Sequence, residues 1–516
     1  MKKKRWIRIL GMLLALTVAL GATACSSSGG AGGSSQQQSS AQAESSQGEI
    51  GTPTIRIVTD NFQPVDPDAD GAVMKAIEKV TGYDMQVTWY PTADYATKVN
   101  TLLASGDLPE ILMYTPIKAP TIVQSVRDGV FWEISDYLDD YPSLSKINSY
   151  QRESISIDGK DYAVPRDMDM AFYAPVYRSD WLKKLNLEPP TNIEELYEVF
   201  YAFTYNDPDG NGVDDTYGMV ESQTFATSGN WMMTVIYYGG PNEWGIQDNK
   251  VTPVWEYDAF WKAMDFYRRA YSEGVMNRDF LTKTDQQGKE DIEIGKAGGS
   301  IAHVWQITER WPNFSKNFPD GDLDVAYLKD VNGEDRHYPS NGGVSGMYLM
   351  PKNSVPDETA LAKCLDFLDK LADPKVQNII QYGIEGIHYE VQEDGTAHII
   401  DQGAYDDEVN VFRRIKPHTM LDVLSPSAID SAAAKRDAFI KAEANNTVAN
   451  PVLKYVSDTY VQKGTDLDTL IDDAIVQYIM GSIDKAAFDE VIQQWYSQGG
   501  QKICDEYTAL WQAENG

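Results

Sequence analysis

Short apolar runs alternate with stripes of helical period in the part of the chain that follows residue 51. The runs at 55–58, 85–89 and 110–114 predict strands, and the stripes at 72–80 and 95–104 predict the helices between them. This β-α-β-α-β order, with right-handed crossovers, predicts an open α/β sheet. The ligands of such sheets lie beyond the carboxyl ends of the strands.

Polar and aromatic side chains stand at the ends of these predicted strands. Asn61 follows the first strand, and Tyr114 ends the third. Farther along, Arg166 and Asp167 precede a predicted strand at about 172–177, where we place the passage into a second lobe. Because the carboxyl ends of parallel strands meet at one edge of a sheet, we expect Asn61 and Tyr114 to face a ligand, and Arg166 and Asp167 at the passage are further candidates.

The second lobe is locally rich in aromatic residues. It contains Trp231 and three further tryptophans before a predicted strand at 300–304, which Trp305 follows. A return passage is predicted at 344–350, and the remainder of the chain is predicted to be mostly helical. The predicted domain organisation is therefore a first lobe of 52–168 with about 345–400, and a second lobe of 169–344 with about 401–516.

Composition restricts the function further. At 516 residues the chain exceeds what one core normally organises, which agrees with two lobes. The formal charge of −33, from 77 acidic and 44 basic residues, disfavours nucleic acid or an anionic membrane surface as the partner. The chain has three cysteines and no C-x-x-C pair, which disfavours a zinc site and thiol redox chemistry. The H-E-x-x-H, phosphate-loop and G-x-S-x-G motifs do not occur.

The N-terminus predicts export and a lipid anchor. Basic residues within 2–8 precede an apolar run at 9–20 and small residues at 21–24, which is typical of a signal peptide over 1–24 and too short for a transmembrane helix. The small residues before Cys25 resemble a bacterial lipobox, which would make Cys25 the acylated first residue of the mature protein, with palmitate among its acyl chains. Residues 25–51 then form a Gly-, Ser- and Gln-rich tether whose reach is on the order of 25 Å. We therefore expect an extracytoplasmic protein that only a lipid holds to the outer face of a bacterial membrane.

An acidic loop at 207–218 has the spacing of a calcium site. Its sequence, D-P-D-G-N-G-V-D-D-T-Y-G, places oxygen side chains at positions one, three, five and nine, and a glycine at the sixth position, where a calcium loop turns sharply. The twelfth position is Gly218 rather than the bidentate Glu of an EF-hand, and a polar turn without metal is the alternative. The predicted ligands of one structural calcium ion, away from the cleft, are Asp207, Asp209, Asn211, the carbonyl group of Val213, and Asp215.

A predicted helix leads into this loop. Thr191, with Glu194 three residues later, predicts a capping box at its start, and apolar residues within 193–203 follow a helical period. We therefore expect the acidic loop to be mounted on a packed helix.

Four segments together resemble the lipoprotein solute-binding proteins, family 1, that deliver carbohydrates to ABC importers. They are L-A-S-G-D-L-P-E at 103–110, Y-R-S-D-W-L at 177–182 leading to P-T at 190–191, the loop at 207–218, and Y-G-I-E-G-I-H-Y at 382–389. The resemblance covers nearly the whole mature chain. It implies a two-lobed α/β fold of the periplasmic-binding-protein type II, with a ligand cleft between lobes joined by hinge strands, and it implies no catalysis. In alginate-binding relatives the loop holds calcium with an acid at position ten, where this chain has Thr216.

Three functions are compatible with these features. The first is a monomeric receptor that binds a neutral oligosaccharide between its lobes and passes it to the permease subunits of an ABC importer, since aromatic faces stack on sugar rings and polar side chains bind hydroxyls. The second is a receptor for peptides or another polar solute. The third is a surface glycan hydrolase, because paired carboxylates can act at any sequence separation. The candidate ligand-binding residues are Asn61, Tyr114, Arg166, Asp167, Trp231, Trp305 and Glu385.

Each of these residues also has a structural alternative. The tryptophans would pack in the core, Arg166 and Asp167 would pair with each other, and Glu385 would cap a turn. Closure about passages near 172 and 344 is the expected functional motion, because a ligand bound to both lobes favours the closed arrangement.

Overall fold

The first lobe begins at the N-terminal end of the part of the chain that the computed structural model describes. That part comprises residues 52–63, 65–115, 117–337, 342–417, 423–427 and 431–516, so the predicted signal peptide, the lipidation site Cys25 and the tether lie outside the described residues. The first segment of this lobe contains β1 (Thr54–Asn61), α1 (Ala72–Thr81), β2 (Asp84–Pro91), α2 (Tyr95–Ser105), β3 (Ile111–Tyr114), α3 (Pro120–Arg127), α4 (Ser149–Ile155) and β4 (Ala163–Asp167).

The second lobe follows directly. Its elements are β5 (Tyr173–Arg178), α5 (Ser179–Lys184), α6 (Ile193–Tyr205), β6 (Tyr217–Met219), α7 (Asn230–Tyr237), β7 (Trp244–Gln247), β8 (Lys250–Pro253), α8 (Asp258–Glu273), α9 (Asp285–Glu293), β9 (Ala297–His303), α10 (Gln306–Asn317) and β10 (Leu323–Val325).

The chain then returns to the first lobe and ends in the second. The returning elements are β11 (Val344–Leu349), α11 (Glu358–Leu371), α12 (Pro374–Tyr382), β12 (Tyr389–Val391), β13 (Ala397–Ile399) and α13 (Gln402–Glu408), and the last are α14 (Ser431–Glu443), α15 (Asp458–Ile479), α16 (Lys485–Trp495) and α17 (Gln501–Asn515). Within the described ranges, no helix is long and apolar enough to cross a membrane.

A five-stranded sheet with the order β2-β1-β3-β11-β4 forms the centre of the first lobe. β1 runs parallel to β2 and to β3, which confirms the sheet expected from the β-α-β-α-β pattern. β11 arrives from the second lobe and pairs antiparallel with both β3 and β4. The helices α1 and α2 end where predicted because Gly82 and Gly106 adopt left-handed φ angles of 76° and 73°, which glycine reaches without strain.

The second lobe is built on a four-stranded sheet with the order β10-β5-β9-β6. β5 is antiparallel to β9 and to β10, whereas β6 is parallel to β9. The end of β4 leads to the start of β5, so these pairings place the carboxyl ends of β6, β9 and β10 at the edge where the chain crosses. In the first lobe the carboxyl ends of β1, β2, β3 and β4 share the corresponding edge. The two sheets therefore turn their carboxyl edges towards the passage between the lobes, as expected for an α/β ligand site.

Separate apolar cores stabilise the lobes. Ile57, Leu112 and Leu365 belong to the first-lobe core, and Phe200 and Tyr267 belong to the main core of the second lobe. Each of these side chains is at most 1% exposed, which is what the dominant, area-dependent hydrophobic term requires. Cys364 also lies fully buried in the first-lobe core, as its position on an apolar helical stripe predicts.

The lobe boundary near residue 400 differs from the prediction. Val409, Phe412 and Ile415 follow α13 and pack into the first-lobe core, whereas Ala432 and Phe439 of α14 pack into a core of the second lobe. The third passage between the lobes therefore lies between 415 and 431. The short segment after α13 has too few turns to show a helical period, so its lobe could not be inferred from its pattern.

The start of α6 is also one residue later than predicted. Its N-cap is Asn192, whose Oδ1 accepts hydrogen bonds from the backbone N–H groups of Glu194 (3.1 Å) and Glu195 (3.0 Å). Thr191 instead donates its backbone N–H to Oε2 of Glu195, at 2.8 Å. Asn and Thr both cap helices, and here the more effective cap stands next to the predicted one.

Candidate functional site

Two adjoining cavities lie at the carboxyl edge of the second-lobe sheet. The larger, which we call the aromatic cavity, has a volume of about 460 Å³. The smaller, which we call the polar cavity, has a volume of about 150 Å³. Tyr173 and Ser228 line both cavities, and the hydroxyl of Tyr173 donates a 3.0 Å hydrogen bond to the carbonyl oxygen of Ser228 at the junction. The aromatic cavity is defined by Tyr173, Trp231, Glu243, Trp244, Trp255, Tyr460, Asp468, Asp472 and Trp495, and the polar cavity by Glu221, Ser222, Asp285, Lys289, Ser300, His303, Gln306 and Arg310.

Tryptophan rings dominate the wall of the aromatic cavity. Trp231 stands in the first turn of α7, and its indole N–H donates to the carbonyl oxygen of Ala226 at 3.0 Å. Trp495 ends α16 and packs edge to face with Trp255, with ring centroids 4.8 Å apart. The indole N–H of Trp495 is buried and has no hydrogen-bond partner. The wall thus presents fixed ring surfaces, and an aromatic lining of this kind is typical of ligand pockets.

Carboxyl groups provide the polar part of the same wall. Asp468 and Asp472 lie one turn apart on α15, and the hydroxyl of Tyr460 donates to Asp468 at 2.7 Å. Desolvation and the negative charges of Asp468 and Asp473 raise the pKa of Asp472 to about 7. Glu243, which also lines this cavity, accepts a 3.0 Å hydrogen bond from the side chain of Asn450. At neutral pH these groups can both donate to and accept from hydroxyls.

The polar cavity is walled by β9, α10 and the segment after β6. Arg310 on α10 is anchored because both terminal nitrogens of its guanidinium donate to Oγ of Ser300 at 3.2 Å. Glu221 is fixed through its backbone, since its N–H donates to Oδ1 of Asn277 at 2.8 Å and its carbonyl oxygen accepts from Nδ2 at 3.1 Å. Burial raises the pKa of the Glu221 carboxyl to about 8.

Of the predicted ligand-binding residues, Asn61 and Tyr114 lie at the carboxyl edge of the first-lobe sheet. The side-chain amide of Asn61 donates to the carbonyl oxygen of Val65 (3.1 Å) and to Asp66 (2.8 Å), so it fixes the turn after β1. Tyr114 ends β3 and is 3% exposed, and burial raises the pKa of its hydroxyl. Both residues stand at the predicted edge, and neither is among the residues that line the two cavities of the second lobe.

Arg166 and Asp167 end β4 at the first passage between the lobes. Arg166 donates to the carbonyl oxygen of Ser345 at 2.9 Å, and its Nε is buried without a hydrogen-bond partner. The backbone N–H of Asp167 donates to the carbonyl oxygen of Pro417 at 2.7 Å, and its side chain accepts from Gln151. These contacts tie the passage to β11 and to the segment that leaves the first lobe.

Trp305 lies at the start of α10, where it touches residues of both lobes. Its indole N–H donates to Asp169 at 2.7 Å. The guanidinium of Arg436 lies 3.7 Å from the ring centroid, and that of Arg413 lies 4.2 Å from it. A third cavity, of about 170 Å³, adjoins the ring and is lined by residues of both lobes. The indole is therefore already engaged by three side chains.

Glu385 lies in the turn that follows α12. Its side chain is exposed, and its backbone forms a bridge with Tyr389. It is not among the residues that line the three cavities. Of the seven predicted residues, the structure thus brings Trp231 to the aromatic cavity and Trp305 to the cavity between the lobes.

The acidic loop has the turn that its glycines predict. Gly212 has a φ of 75°, and its N–H donates to Oδ2 of Asp207 at 3.1 Å, while Oδ1 of Asp207 is buried without a partner. Nδ2 of Asn211 donates to Asp209 at 2.8 Å and to Asp215 at 3.2 Å. The same side chain's Oδ1 accepts from the N–H of Val213 at 2.6 Å. In this arrangement the described residues contain no group of three His, Cys, Asp or Glu side chains close enough to share a metal ion, and calcium binding stays a prediction.

Several residues of the cavities were not identified from the sequence. Glu221 and Arg310 are far apart along the chain, and Asp468 and Asp472 lie on a helix whose polar face gives no sign of a ligand. A weak signal was available for Glu221, because it follows a short strand at the position where α/β sheets bind ligands. The others meet only through tertiary packing.

Two curated proteins of Bacillus subtilis (strain 168) are similar to most of this chain. Lipoprotein LipO is 32% identical over 487 residues, which cover 92% of this chain and 95% of LipO. The polygalacturonan/rhamnogalacturonan-binding protein YtcQ is 33% identical over 457 residues, which cover 86% of this chain and 88% of YtcQ. Similarity at this level and over this length indicates a shared fold along nearly the whole mature chain.

Solved structures agree with the architecture. FusA, an ABC-transporter substrate-binding protein of Streptococcus pneumoniae, in complex with kestose, superposes with a TM-score of 0.66 at 18% identity, covering 90% of this chain and 99% of FusA. Another structure of FusA, an EF-hand mutant bound to fructo-nystose, has a TM-score of 0.64. The sequence profile of the bacterial extracellular solute-binding proteins matches residues 60–378. With two lobes, carboxyl strand edges turned towards their passage, and a profile match over more than half of its length, this chain belongs to the bacterial extracellular solute-binding protein family.

Proposed function

We propose that this protein captures a neutral oligosaccharide along the carboxyl edge of the second lobe and delivers it to the permease of an ABC importer. The observation that carries the proposal is the aromatic cavity, in which Trp231, Trp244 and Trp495 line one wall together with Asp468 and Asp472. Ring faces stack on the apolar faces of sugar rings, while carboxyl groups bind the hydroxyls at their edges.

The charges of the aromatic cavity favour an uncharged sugar. Among the related proteins, YtcQ is named for polygalacturonan and rhamnogalacturonan, and FusA was solved with kestose. In this chain three carboxyl groups, from Glu243, Asp468 and Asp472, line the aromatic cavity. A row of uronate groups would meet like charges there, which is unfavourable in a partly desolvated site.

A thermal-shift screen tests the proposal directly. The mature protein is melted with malto-, cello-, xylo- and fructo-oligosaccharides, with trigalacturonate, and with tripeptides. A ligand at a hundred times its dissociation constant stabilises the folded state by about 2.7 kcal/mol. We expect at least one neutral series to raise the melting temperature. A shift with tripeptides alone would contradict the sugar assignment, and the appearance of reducing ends in the same wells would favour a hydrolase.

We also propose that Cys25 carries the acyl chains that hold the receptor beside its permease. LipO, the relative that matches 92% of this chain, is itself named a lipoprotein. A single lipidated terminus followed by a flexible tether lets the two lobes reach a permease without crossing the membrane. Cell fractionation is the measurement: the mature protein should sediment with membranes, and recovery in the medium alone would contradict the anchor.

The acidic loop is proposed to bind one structural calcium ion on the second lobe. The support is its set of hard oxygen ligands, the sharp turn at Gly212, and the buried Oδ1 of Asp207 that lacks a partner. Binding through Asn211 needs its side-chain amide to turn, because the carbonyl oxygen and not the NH₂ group is a calcium ligand. The test is the calcium dependence of the melting temperature.

A further inference from the structure

Two buried side chains and the half-buried His303 at the polar cavity each leave one buried polar atom without a hydrogen-bond partner. These atoms are Oε1 of Glu221, Nδ1 of His303 and Nε of Arg310. Glu221 is 4% exposed and Arg310 is 1% exposed. A buried polar group that is left unsatisfied destabilises the folded state, so three such atoms at one cavity indicate that a polar guest completes the site.

The side chains are held in place before any guest arrives. The guanidinium of Arg310 donates to Ser300 and to Gln306, and the ring of His303 stacks on Phe172 with centroids 5.4 Å apart. The backbone of Glu221 is clamped by Asn277. A site whose polar groups are fixed in this way loses little conformational entropy on binding.

The charged groups at the cavity are the cation Arg310, the carboxylate Asp285 and the Lys289–Glu309 ion pair. Asp285 accepts hydrogen bonds from Ser222 and Thr224, and Lys289 pairs with Glu309 across 2.5 Å. Burial raises the pKa of Glu221 to about 8 and lowers the pKa of His303 to about 4, so both are mostly uncharged at neutral pH. Besides the opposite charges of Arg310 and Asp285, the cavity therefore presents uncharged donors and acceptors, which suit the hydroxyl groups of a sugar.

The size and position of the cavity suit one sugar unit. Its volume of about 150 Å³ is roughly ten times the ~15 Å³ that one water molecule needs. It adjoins the aromatic cavity across the hydrogen bond between Tyr173 and Ser228. An oligosaccharide that lies along the tryptophans would place its last ring beyond this junction.

We propose that the polar cavity binds the terminal unit of a neutral oligosaccharide, with neighbouring hydroxyls of that unit bridging Glu221 and Arg310. This inference rests on the proposed function, because it requires an oligosaccharide in the aromatic cavity. The inference adds that the receptor recognises one end of its ligand. The sugar chain cannot extend beyond the ring in the polar cavity, whereas its length in the opposite direction can vary.

The test compares Glu221→Ala, Glu221→Gln and the control Glu290→Gln by isothermal titration calorimetry. Glu290 is exposed on the same helix, α9, that carries Asp285 and Lys289, and it does not line the cavity. The probes are malto-, cello-, xylo- and fructo-oligosaccharides of two, three and four units, and trigalacturonate. Melting curves of each variant verify that it is folded.

For a series that binds the unchanged protein, Glu221→Ala should lower the affinity by about ten- to a hundredfold. The factor should be the same for two, three and four units, because all of them share the terminal ring. Glu221→Gln keeps a donor and an acceptor and should stay within about threefold of the unchanged protein, as should Glu290→Gln.

Two results would overturn the inference while leaving the proposed function intact. One is unchanged affinity in Glu221→Ala, and the other is a loss that varies with chain length, which would place Glu221 beside an inner ring or give it a structural role. If trigalacturonate binds more tightly than every neutral probe, the assignment of the ligand as an uncharged oligosaccharide is wrong. If no glycan binds the unchanged protein, the proposed function fails and the inference fails with it.

Discussion

The carboxyl group of Glu221 lies two residues after β6 and is almost completely buried. Burial raises its pKa to about 8, and the negative charge of Asp285 acts in the same direction. The nearby side chain of Asn230 and the charge of Arg310 oppose this shift of the pKa without cancelling it. An exposed glutamate is ionised at neutral pH, so the protonation of Glu221 is a consequence of its buried surroundings.

Stability should therefore depend on the protonation of Glu221. The ordinary pKa of 4.5 applies in the unfolded chain, so between pH 4.5 and about 8 the folded protein holds a proton that the unfolded chain has lost. The free energy of unfolding should fall with rising pH by about 1.4 kcal/mol per unit in this window. Glu221→Gln removes this contribution, so its stability should fall less steeply than that of the unchanged protein. Urea unfolding at pH 5, 6, 7 and 8 gives both slopes.

The control for this measurement is Glu290→Gln, which removes an exposed carboxyl group from the same lobe. It should follow the slope of the unchanged protein. Asp472, whose pKa is also raised to about 7, is present in all three proteins and contributes equally to each. Parallel curves for Glu221→Gln and the unchanged protein would show that the Glu221 carboxyl titrates at an ordinary pKa.

Among the elements, the loop that follows α6 has the turn that its sequence predicts, and its binding of calcium is a prediction still to be tested. Its carboxylates at 207, 209 and 215 lie within nine residues, and Asn211 donates to two of them. A cation bound there stabilises only the folded loop, so its binding is linked to the stability of the second lobe. Loops of this kind in extracellular proteins bind calcium with dissociation constants of about 10⁻⁴–10⁻³ M.

Calcium should raise the melting temperature, and Asp209→Ala should abolish the increase. At about 1 mM calcium the stabilisation is ~0.4 kcal/mol for a dissociation constant near 10⁻³ M and ~1.4 kcal/mol for one near 10⁻⁴ M. Asp214→Ala is the matched control, because it removes the same charge from the same loop without removing a predicted ligand. Differential scanning calorimetry with calcium and with chelator separates the outcomes. A chelator that leaves the melting temperature unmoved would show that the loop is a polar turn.

The elements also show what the sequence could and could not predict. The strands and helices of 54–114 are predicted to within three residues at their ends, because each carries its own apolar pattern and the two helices also end at a glycine. The sequence does not predict the lobe to which residues 409–415 belong, because only the core into which they pack assigns them to the first lobe. The residues that line the two cavities are predicted only in part, because most of them come together only through tertiary packing. Trp231 stands out as an aromatic residue, whereas Glu221 and Arg310 meet only in the folded lobe.

At the scale of the whole molecule, the lobes are joined by three passages and by side-chain contacts across them. Arg127 of α3 pairs with Asp458 of α15 at 2.8 Å, and the guanidinium of Arg413 lies over the ring of Trp305. The first pair is exposed and contributes about 0–1 kcal/mol, and the second contributes about 0.5–2 kcal/mol. Contacts of this size can break and form again, so a bound ligand can decide the arrangement of the lobes.

Ligand binding should therefore compact the protein. A sugar held at the second lobe that also bonds to the carboxyl edge of the first favours the closed arrangement by its difference in affinity for the two states. A shift from mostly open to mostly closed requires about 5.5 kcal/mol of such a difference, which is within reach of a ligand bound by both lobes. Small-angle X-ray scattering of the mature protein should show a radius of gyration that falls as the oligosaccharide is added.

The midpoint of this fall should match the dissociation constant from calorimetry, because compaction and binding would then be one equilibrium. A sugar that gives no thermal shift serves as the control at equal concentration and should leave the radius unchanged. A radius that stays constant at full saturation would show that the passages near Phe172 and Val344 do not act as hinges. The ligand would then be held by the second lobe alone, and the exposed face of the bound sugar, rather than closure, would have to signal occupancy to the permease.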